Sequence, residues 1–311
     1  MTRHLISIHD LTREQVAGLF DLAAAVKANP REYARALAGQ TLGMIFQKSS
    51  TRTRVSFEVG MLQLGGHALF LSSRDIQLGR GEPTSDTARV LSRYLDGVMA
   101  RTFAHQDVLD LARYGSVPVV NGLTDDLHPC QALADYFTLR EIFGELSGRK
   151  IAYVGDGNNM ARSLVFGAAK VGMDVAVAAP AGYQLEGRYL ALAQEDADRA
   201  GTKIDLTDDP AEAVAEASCV YTDVWASMGQ EEEQKKRERD FAGYTVYLRL
   251  MERADPDAVF LHCLPAHRGE EVDALVADGP QSRIFDQAEN RLHVQKAILL
   301  WLMGGAEYEI G

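Results

Sequence analysis

The chain has 311 residues, which suits two domains of ordinary size, and its composition is that of a globular protein. A formal net charge of −12 at pH 7 argues against a nucleic-acid-binding surface, and we find neither an apolar signal segment nor an apolar run long enough to span a membrane. Three cysteines, an odd and sparse number, are typical of the reducing cytoplasm. We therefore expect a cytoplasmic protein without a nucleic-acid or membrane partner.

The first elements are a helix, a strand and a second helix. Residues 11–38 have a helical pattern, and residues 41–46 form a short apolar stretch that predicts a buried strand. Apolar residues recur at helical spacing from Val55 to Leu62, and Gly65 supplies a stop. The hydroxyl- and guanidinium-rich segment between this strand and this helix therefore lies at a strand-to-helix turn.

That segment, residues 50–54 (STRTR), is the strongest local signal in the chain. Ser50 or Thr51 can cap the helix, whose first turn offers free backbone N–H groups and the positive end of the dipole. Hydroxyls and arginines added to this geometry make an anion site suited to a phosphate. The alternative is an ordinary capped helix with solvated arginines, which is disfavoured because the dipole opposes positive charge there.

Two further strands are predicted over residues 67–71 and 97–103, separated by a polar loop over 72–83 and a helix over 84–94. Long loops without secondary structure are usually functional or mobile, although a solvated surface loop is the alternative.

Arg101 lies near the carboxyl end of its strand, where open α/β sheets bind ligands. A structural salt bridge would also explain Arg101, but the nearby anion motif favours phosphate or carbonyl binding.

The sequence HPCQ at residues 128–131 opens another helix, because Pro129 suits the first turn. His128 then lies beside the helix N-terminus, where the positive dipole should lower the pKa of the imidazole. A neutral His128 can donate one hydrogen bond to a carbonyl oxygen, and the Gln131 amide can both donate and accept. A purely structural histidine is the usual alternative.

The second half begins after a polar link over residues 144–150. A strand over 150–154, a glycine turn and a helix invite a dinucleotide-binding interpretation. Met160 replaces the third glycine of that fingerprint, and the next strand ends at Pro180 without an acidic residue for a ribose. The pattern predicts a doubly wound sheet but disfavours a dehydrogenase.

Two later strands carry polar groups near their ends. Asp223, followed by a small-residue turn, could bind an ammonium group and expose backbone N–H groups, although a surface aspartate is the alternative.

The charged run 231–240 predicts a solvated helix or loop without a chemical role. The sequence HCLPAHRG over 262–269 suggests zinc at first, but its spacing fits no standard zinc site. An amphipathic helix from residue 292 ends the chain.

In combination, the STRTR, HPCQ, GDGNN, DVWASMG and HCLPAHRG segments resemble the aspartate/ornithine carbamoyltransferase family along nearly the whole chain. The resemblance implies two doubly wound α/β domains with mainly parallel sheets and an active-site cleft between them. A carbamoyl-phosphate-binding domain would span residues 1–143, with the C-terminal helix 292–311 packing on it, and an ornithine-binding domain would span residues 150–291.

The resemblance implies transfer of the carbamoyl group of carbamoyl phosphate to the δ-amine of L-ornithine, giving L-citrulline and phosphate, as in arginine biosynthesis. No metal or organic cofactor is expected, because phosphate is already a good leaving group. A homotrimer, or a multiple of trimers, with shared active sites is expected, since Gln77 would lie on a loop that reaches a neighbouring subunit's site.

The resemblance also assigns the site residues. Carbamoyl phosphate would be bound by Ser50, Thr51, Arg52, Thr53, Gln77, Arg101, His128, Gln131, Cys263, Leu264 and Arg291. Among these, Arg101, His128 and Cys263 would be catalytic. Ornithine would be bound by Asn159, Asp223, Ser227 and Met228.

Two alternatives to ornithine carbamoylation remain at this level. A related carbamoyltransferase acting on putrescine or on acetylated ornithine is disfavoured by the Ser-Met-Gly turn at 227–229, where the resemblance is to the ornithine enzymes. A non-catalytic sensor with the same fold would be expected to lose Arg101, His128 or Cys263, and all three are present.

Overall fold

The computed structural model describes residues 2–74, 81–226 and 233–310. It divides into two compact units, one formed by Met1–Ala134 with Glu289–Gly311 and the other by Asp135–Ala288. Each unit is an α/β structure with a parallel sheet, which confirms the predicted fold class. Within the described ranges, no helix is long and apolar enough to cross a membrane.

The first unit contains a four-stranded parallel sheet. Its strands are β1 (Thr41–Phe46), β2 (His67–Ser72), β3 (Gly97–Arg101) and β4 (Val119–Leu123). They lie in the order β2-β1-β3-β4, so the winding direction reverses between β1 and β3. Ligands of open α/β sheets bind outside the carboxyl ends of the strands at such a reversal. The STRTR turn follows β1 and Arg101 ends β3, so both predicted phosphate-site elements lie at this position.

The second unit contains a five-stranded parallel sheet. Its strands are β5 (Lys150–Val154), β6 (Asp174–Ala178), β7 (Ile204–Thr207), β8 (Cys219–Thr222) and β9 (Val259–His262). They lie in the order β7-β6-β5-β8-β9, and the winding reverses between β5 and β8. In the turn after β5, a Cβ on Gly157 would lie 2.5 Å from the carbonyl carbon of Gln184, so this close backbone approach requires glycine.

The described helices cover the sheets. They are α1 (Arg13–Ala28), α2 (Thr51–Gln63), α3 (Thr84–Leu91), α4 (His105–Tyr114), α5 (Pro129–Phe143), α6 (Asn159–Val171), α7 (Gly187–Ala200), α8 (Pro210–Val214), α9 (Gln234–Asp240), α10 (Leu248–Met251), α11 (Ala274–Ala277) and α12 (Ile284–Met303). Helices α5 and α12 each continue from one unit into the other.

The first helix is shorter than the sequence pattern predicts. The prediction of a helix over 11–38 was wrong beyond Ala28, because turns cover residues 30–39. A capping box starts α1, in which Thr12 and Gln15 bond each other's backbone N–H groups. Pro30 accounts for the end, since a residue before proline avoids the helical conformation.

The last helix begins earlier than predicted. Residues 285–291 were expected to lead into a helix from Leu292, but α12 starts at Ile284. Gln287, Asn290 and Arg291 on its first turns are buried, so its inward face is polar there. A buried polar face has no apolar period, which is why the sequence pattern missed it.

Helices α2 and α9 differ from the sequence predictions of which side chains are buried. In α2, Phe57 and Met61 are buried, whereas Val55 and Leu62 are 52% and 71% exposed. In α9, which lies in the charged run expected to be solvated, the Arg237 guanidinium is buried and donates to Asp156 at 2.6 Å. That part of the run is therefore tied to the turn after β5 rather than fully solvated.

Candidate active site

The STRTR turn in the first unit has the predicted cap. Ser50 precedes α2 with an extended backbone, and its Oγ accepts the Thr53 N–H at 3.2 Å. The first turn carries arginines and no acidic residue. Arg54 is turned to one side, with its guanidinium 3.9 Å from the centroid of the Phe70 ring. The cap therefore presents the helix N-terminus beside Arg52, as an anion site requires.

A buried arginine joins three helices of the first unit. Arg291 on α12 donates from one terminal nitrogen to Gln131 on α5 and from the other to Thr53 on α2, the latter at 3.2 Å. All three side chains are at most 3% exposed. The structure thus brings together three residues that span 238 positions of the sequence, each predicted to bind carbamoyl phosphate.

Sequence reasoning missed a fourth member of this group. Gln295, one turn after Arg291 and fully buried, can accept from Arg291 Nε at 3.1 Å and Nη2 at 2.9 Å when its amide nitrogen donates to Ser56. In this orientation both the nitrogen and the oxygen of the Gln295 amide make hydrogen bonds, and the two bonds from Arg291 fix the plane of its guanidinium. The sequence does contain a signal for this contact: Gln295 follows Arg291 by four residues, a spacing that places two side chains on the same face of a helix.

His128 lies immediately before α5 and is buried. Burial lowers the pKa of His128 well below its usual value, and the positive charges of Arg291, Arg101 and Arg52 lower it further. The predicted direction of the pKa shift was right, but its largest cause is burial rather than the helix dipole. A neutral imidazole held among three cations can polarise a carbonyl oxygen without repelling those cations.

Arg101 reaches this group from the end of β3. The β3–β4 register shifts between Ala100 and Arg101, and such an irregularity redirects the side chain that follows it. Arg101 is 8% exposed, and its charge acts on His128. The structure therefore gathers Arg52, Arg101, His128 and Arg291 into one electropositive cluster.

The second unit contains a separate polar cluster around Asp223, just after β8. Asp223 Oδ1 accepts the Cys263 thiol at 2.9 Å and the Val224 N–H at 2.8 Å, while its Oδ2 accepts the Asn158 amide at 3.2 Å. The Asn158 oxygen caps α6 by accepting from the Met160 and Ala161 N–H groups. Asn158 therefore fixes both the start of α6 and the Asp223 carboxylate.

Sequence analysis assigned the neighbouring Asn159 to ornithine and overlooked Asn158. Asn159 is the first residue of α6 and half-buried. An N-cap asparagine before a helix was visible in the sequence, but its bond to Asp223 depends on the adjacency of β5 and β8. Gln77, Ser227 and Met228 lie outside the described residues.

Among the residues that the structure describes, two groups of side chains have the donor types and proximity of metal ligands. Asp223, His262 and Cys263 form one, and His267, Glu270 and Glu271 the other; within each, the donor atoms lie within 4.8 Å of one another. In the first group, both His262 ring nitrogens already contact other groups, and the Cys263 thiol donates to Asp223. A metal there would have to replace these bonds.

Comparison with known proteins places the chain in a family. The carbamoyl-phosphate-binding domain of aspartate/ornithine carbamoyltransferases matches residues 3–141, and the aspartate/ornithine-binding domain matches residues 147–302. The chain belongs to the aspartate/ornithine carbamoyltransferase family, which confirms the resemblance seen in the sequence.

Ornithine carbamoyltransferases from several organisms align with nearly the whole chain. Ornithine carbamoyltransferase from Symbiobacterium thermophilum is 56% identical over 305 residues, covering 97% of this chain and 98% of the relative. The solved structure of ornithine carbamoyltransferase from Pyrococcus furiosus is 52% identical with a TM-score of 0.94, covering 98% of both chains. A mitochondrial ornithine carbamoyltransferase from Coccidioides immitis is 36% identical with a TM-score of 0.92 over 100% of both chains.

Proposed function

We propose that this chain transfers the carbamoyl group of carbamoyl phosphate to the δ-amine of L-ornithine. The observation that carries the proposal is the cluster of a buried, neutral His128 with Arg52, Arg101 and Arg291 in a chain of the carbamoyltransferase family. The δ-nitrogen attacks the carbamoyl carbon, the bond from that carbon to the phosphate oxygen breaks, and phosphate leaves with the electron pair. The attacking nitrogen loses one proton, and citrulline results.

The first unit supplies the carbamoyl-phosphate site in this proposal. Ser50, Thr51, Arg52 and Thr53 at the start of α2 bind the leaving phosphate. Arg101, His128 and Arg291 stabilise the negative charge that builds on the carbonyl oxygen, as donors of an oxyanion hole do. Gln131, already bonded to Arg291, accepts from the carbamoyl NH₂.

The second unit supplies the ornithine site. Asp223 pairs with the α-ammonium, and Asn159 with the Met228 backbone binds the α-carboxylate, while Ser227 helps to orient the chain of ornithine. Cys263 lies beside the reacting amine, because its thiol is held on the Asp223 carboxylate that orients the substrate. Holding both substrates in one geometry converts a bimolecular step into a nearly unimolecular one. The proposal involves no metal or organic cofactor.

The activity is tested by incubating the protein with ¹³C-labelled carbamoyl phosphate and ornithine. We expect labelled citrulline and one phosphate per citrulline. Release of phosphate without labelled citrulline would contradict the proposal, because it would show hydrolysis rather than carbamoyl transfer.

The cytoplasmic location that we propose for this reaction is supported by three free cysteines, two of them buried.

We also propose a homotrimer, because one face of the first unit is apolar and exposed. Val55, Leu62, Leu69 and Phe70 on α2 and the edge strand β2 are between 39% and 71% exposed. A cavity of about 860 Å³ lies on this face and extends to Ser50. Exposed apolar patches and sheet edges favour association, so a second copy of the chain is the expected occupant.

Subunit mixing tests whether neighbouring copies share a site. Gln77→Ala and Arg52→Ala homo-oligomers are each expected to have little activity. After subunit exchange, about a quarter of shared sites would combine an intact Arg52 with an intact Gln77 from a neighbour. We expect activity to recover to that level, whereas no recovery despite mass-spectrometric proof of exchange would show self-contained sites. Mixing Gln77→Ala with itself is the control.

A further inference from the structure

Helix α12 carries a buried amide, that of Gln295, on the face that meets α2 in the first unit. The Gln295 oxygen accepts from Arg291 Nε at 3.1 Å and Nη2 at 2.9 Å, and the Gln295 nitrogen donates to Ser56 Oγ on α2. The Gln295 side chain is 0% exposed. Burying an amide is unfavourable unless both its ends make hydrogen bonds, so the partners of Gln295 indicate what it does.

The partners of Gln295 allow one orientation of its amide. Every nitrogen of a guanidinium donates and none accepts, so Arg291 needs an oxygen opposite it. The reversed amide would place the Gln295 nitrogen against Arg291 and set donor against donor. Ser56 favours the same orientation, because its hydroxyl donates to the Thr53 carbonyl at 3.3 Å and can therefore accept from Gln295.

Gln295 completes the set of bonds that orient the Arg291 guanidinium. Gln131 on α5 accepts from Nη1, and Thr53 on α2 accepts from Nη2 at 3.2 Å. The Gln295 oxygen lies at the edge formed by Nε and Nη2. All three guanidinium nitrogens of Arg291 therefore have partners, and a rigid planar group held in this way cannot turn without losing bonds.

The same bonds join the guanidinium to the STRTR turn. They form a closed ring between α12 and the start of α2, which consists of Arg291, Gln295, Ser56 and Thr53. Thr53 belongs to the STRTR segment, and its side chain is 1% exposed. The ring therefore sets the position of Arg291 relative to the helix N-terminus at which the phosphate is proposed to bind.

We propose that Gln295 is a positioning residue for carbamoyl transfer, which holds the Arg291 guanidinium in the orientation that stabilises charge on the carbonyl oxygen. The inference rests on the proposed function, in which Arg291 acts on that oxygen. In this role Gln295 acts through Arg291 and does not touch the substrate. Donors to a developing oxyanion are effective because they are oriented before the reaction, and a misplacement of about 1 Å costs about 100-fold in rate.

Two neighbouring substitutions on α12 separate positioning from helix packing. Gln295→Met keeps a side chain of similar length but removes both hydrogen-bonding groups. Lys296→Met is the matched control, because Lys296 is also buried and donates to Gln63 on α2 at 3.0 Å. We expect Gln295→Met to lower kcat about 10- to 100-fold with much smaller changes in KM for either substrate. Lys296→Met should lower the melting temperature and keep kcat. An unchanged kcat in Gln295→Met, or an equal loss in Lys296→Met, would overturn the proposal.

Ser56→Ala removes the acceptor that holds the Gln295 nitrogen. This variant should lower kcat by less than Gln295→Met does. Adding Ser56→Ala to Gln295→Met should lower kcat no further, because both substitutions act through one amide. Fully additive losses in the double variant would contradict the proposal, since Ser56 would then act independently of Gln295.

Nitrogen-15 NMR of the Arg291 Nε–H tests the orientation without measuring catalysis, and the signal is assigned by its absence in Arg291→Lys. We expect slow exchange of this proton with water in the unmodified protein and faster exchange in Gln295→Met. Equal exchange rates in the two proteins would overturn the proposal. If the unmodified protein forms no citrulline, the proposed function fails, while the exchange rates still test whether Gln295 holds Arg291.

Discussion

Replacing Arg291 with lysine is expected to lower kcat for carbamoyl transfer by about 100- to 1,000-fold, the range for loss of one oxyanion-hole donor. Arg291 donates from separate nitrogens to Gln131 and Thr53, which lie on different helices. Lysine keeps the charge but presents a single ammonium group, so it cannot hold both partners and the carbonyl oxygen in one plane.

Steady-state kinetics with carbamoyl phosphate as the varied substrate measures this effect. Arg89→Lys is the matched control, because Arg89 is an exposed arginine of the same unit that pairs with Asp86. The control should keep the kcat of the unmodified protein. If Arg291→Lys folded with an unchanged melting temperature and kept kcat within a few-fold, Arg291 would have no role at the carbonyl.

Replacing Asp223 with asparagine is expected to lower kcat/KM for ornithine by about 10- to 100-fold, because a hydrogen bond to a charged group contributes about 1.5–3 kcal/mol. The Asp223 oxygens accept from Asn158 and Cys263, so an asparagine nitrogen would face a donor at one of these positions. Putrescine has no α-ammonium, and its already low kcat/KM should change little.

The ratio of kcat/KM for ornithine to that for putrescine reports this prediction. Asp205→Asn removes an exposed carboxylate from the same unit and serves as the control for charge. We expect the ratio to fall in Asp223→Asn through the loss on ornithine and to stay constant in Asp205→Asn. An unchanged ratio in Asp223→Asn would exclude Asp223 from ornithine recognition.

Much of the fold followed from local sequence patterns, because short apolar runs mark buried parallel strands. Turn residues next to those strands then located the STRTR cap and His128 at sheet edges where ligands bind. The sequence also predicted a lowered pKa for His128. It could not show that burial is the main cause, because burial depends on how the whole unit packs.

The interactions that sequence patterns missed are polar and connect distant segments. The bond between Asn158 and Asp223 requires β5 and β8 to be neighbours, which neither segment encodes by itself. The early start of α12 was hidden because its inward face is polar. The buried bond between Arg237 and Asp156 was hidden in a charged run, since charge alone predicts exposure.

The central claim, that the chain carbamoylates ornithine, is tested most directly by comparing amines in one citrulline-type assay. Ornithine, putrescine and Nα-acetylornithine are supplied at matched concentrations with carbamoyl phosphate, and kcat/KM is determined for each. Putrescine lacks both the α-carboxylate and the α-ammonium, so the protein groups that bind them stay unpaired, and each unpaired group costs about 1–3 kcal/mol of binding free energy. In Nα-acetylornithine the α-nitrogen is acetylated and carries no positive charge to pair with Asp223. We predict at least about tenfold higher kcat/KM for ornithine than for either amine. Equal or higher kcat/KM for putrescine or Nα-acetylornithine would contradict the claim.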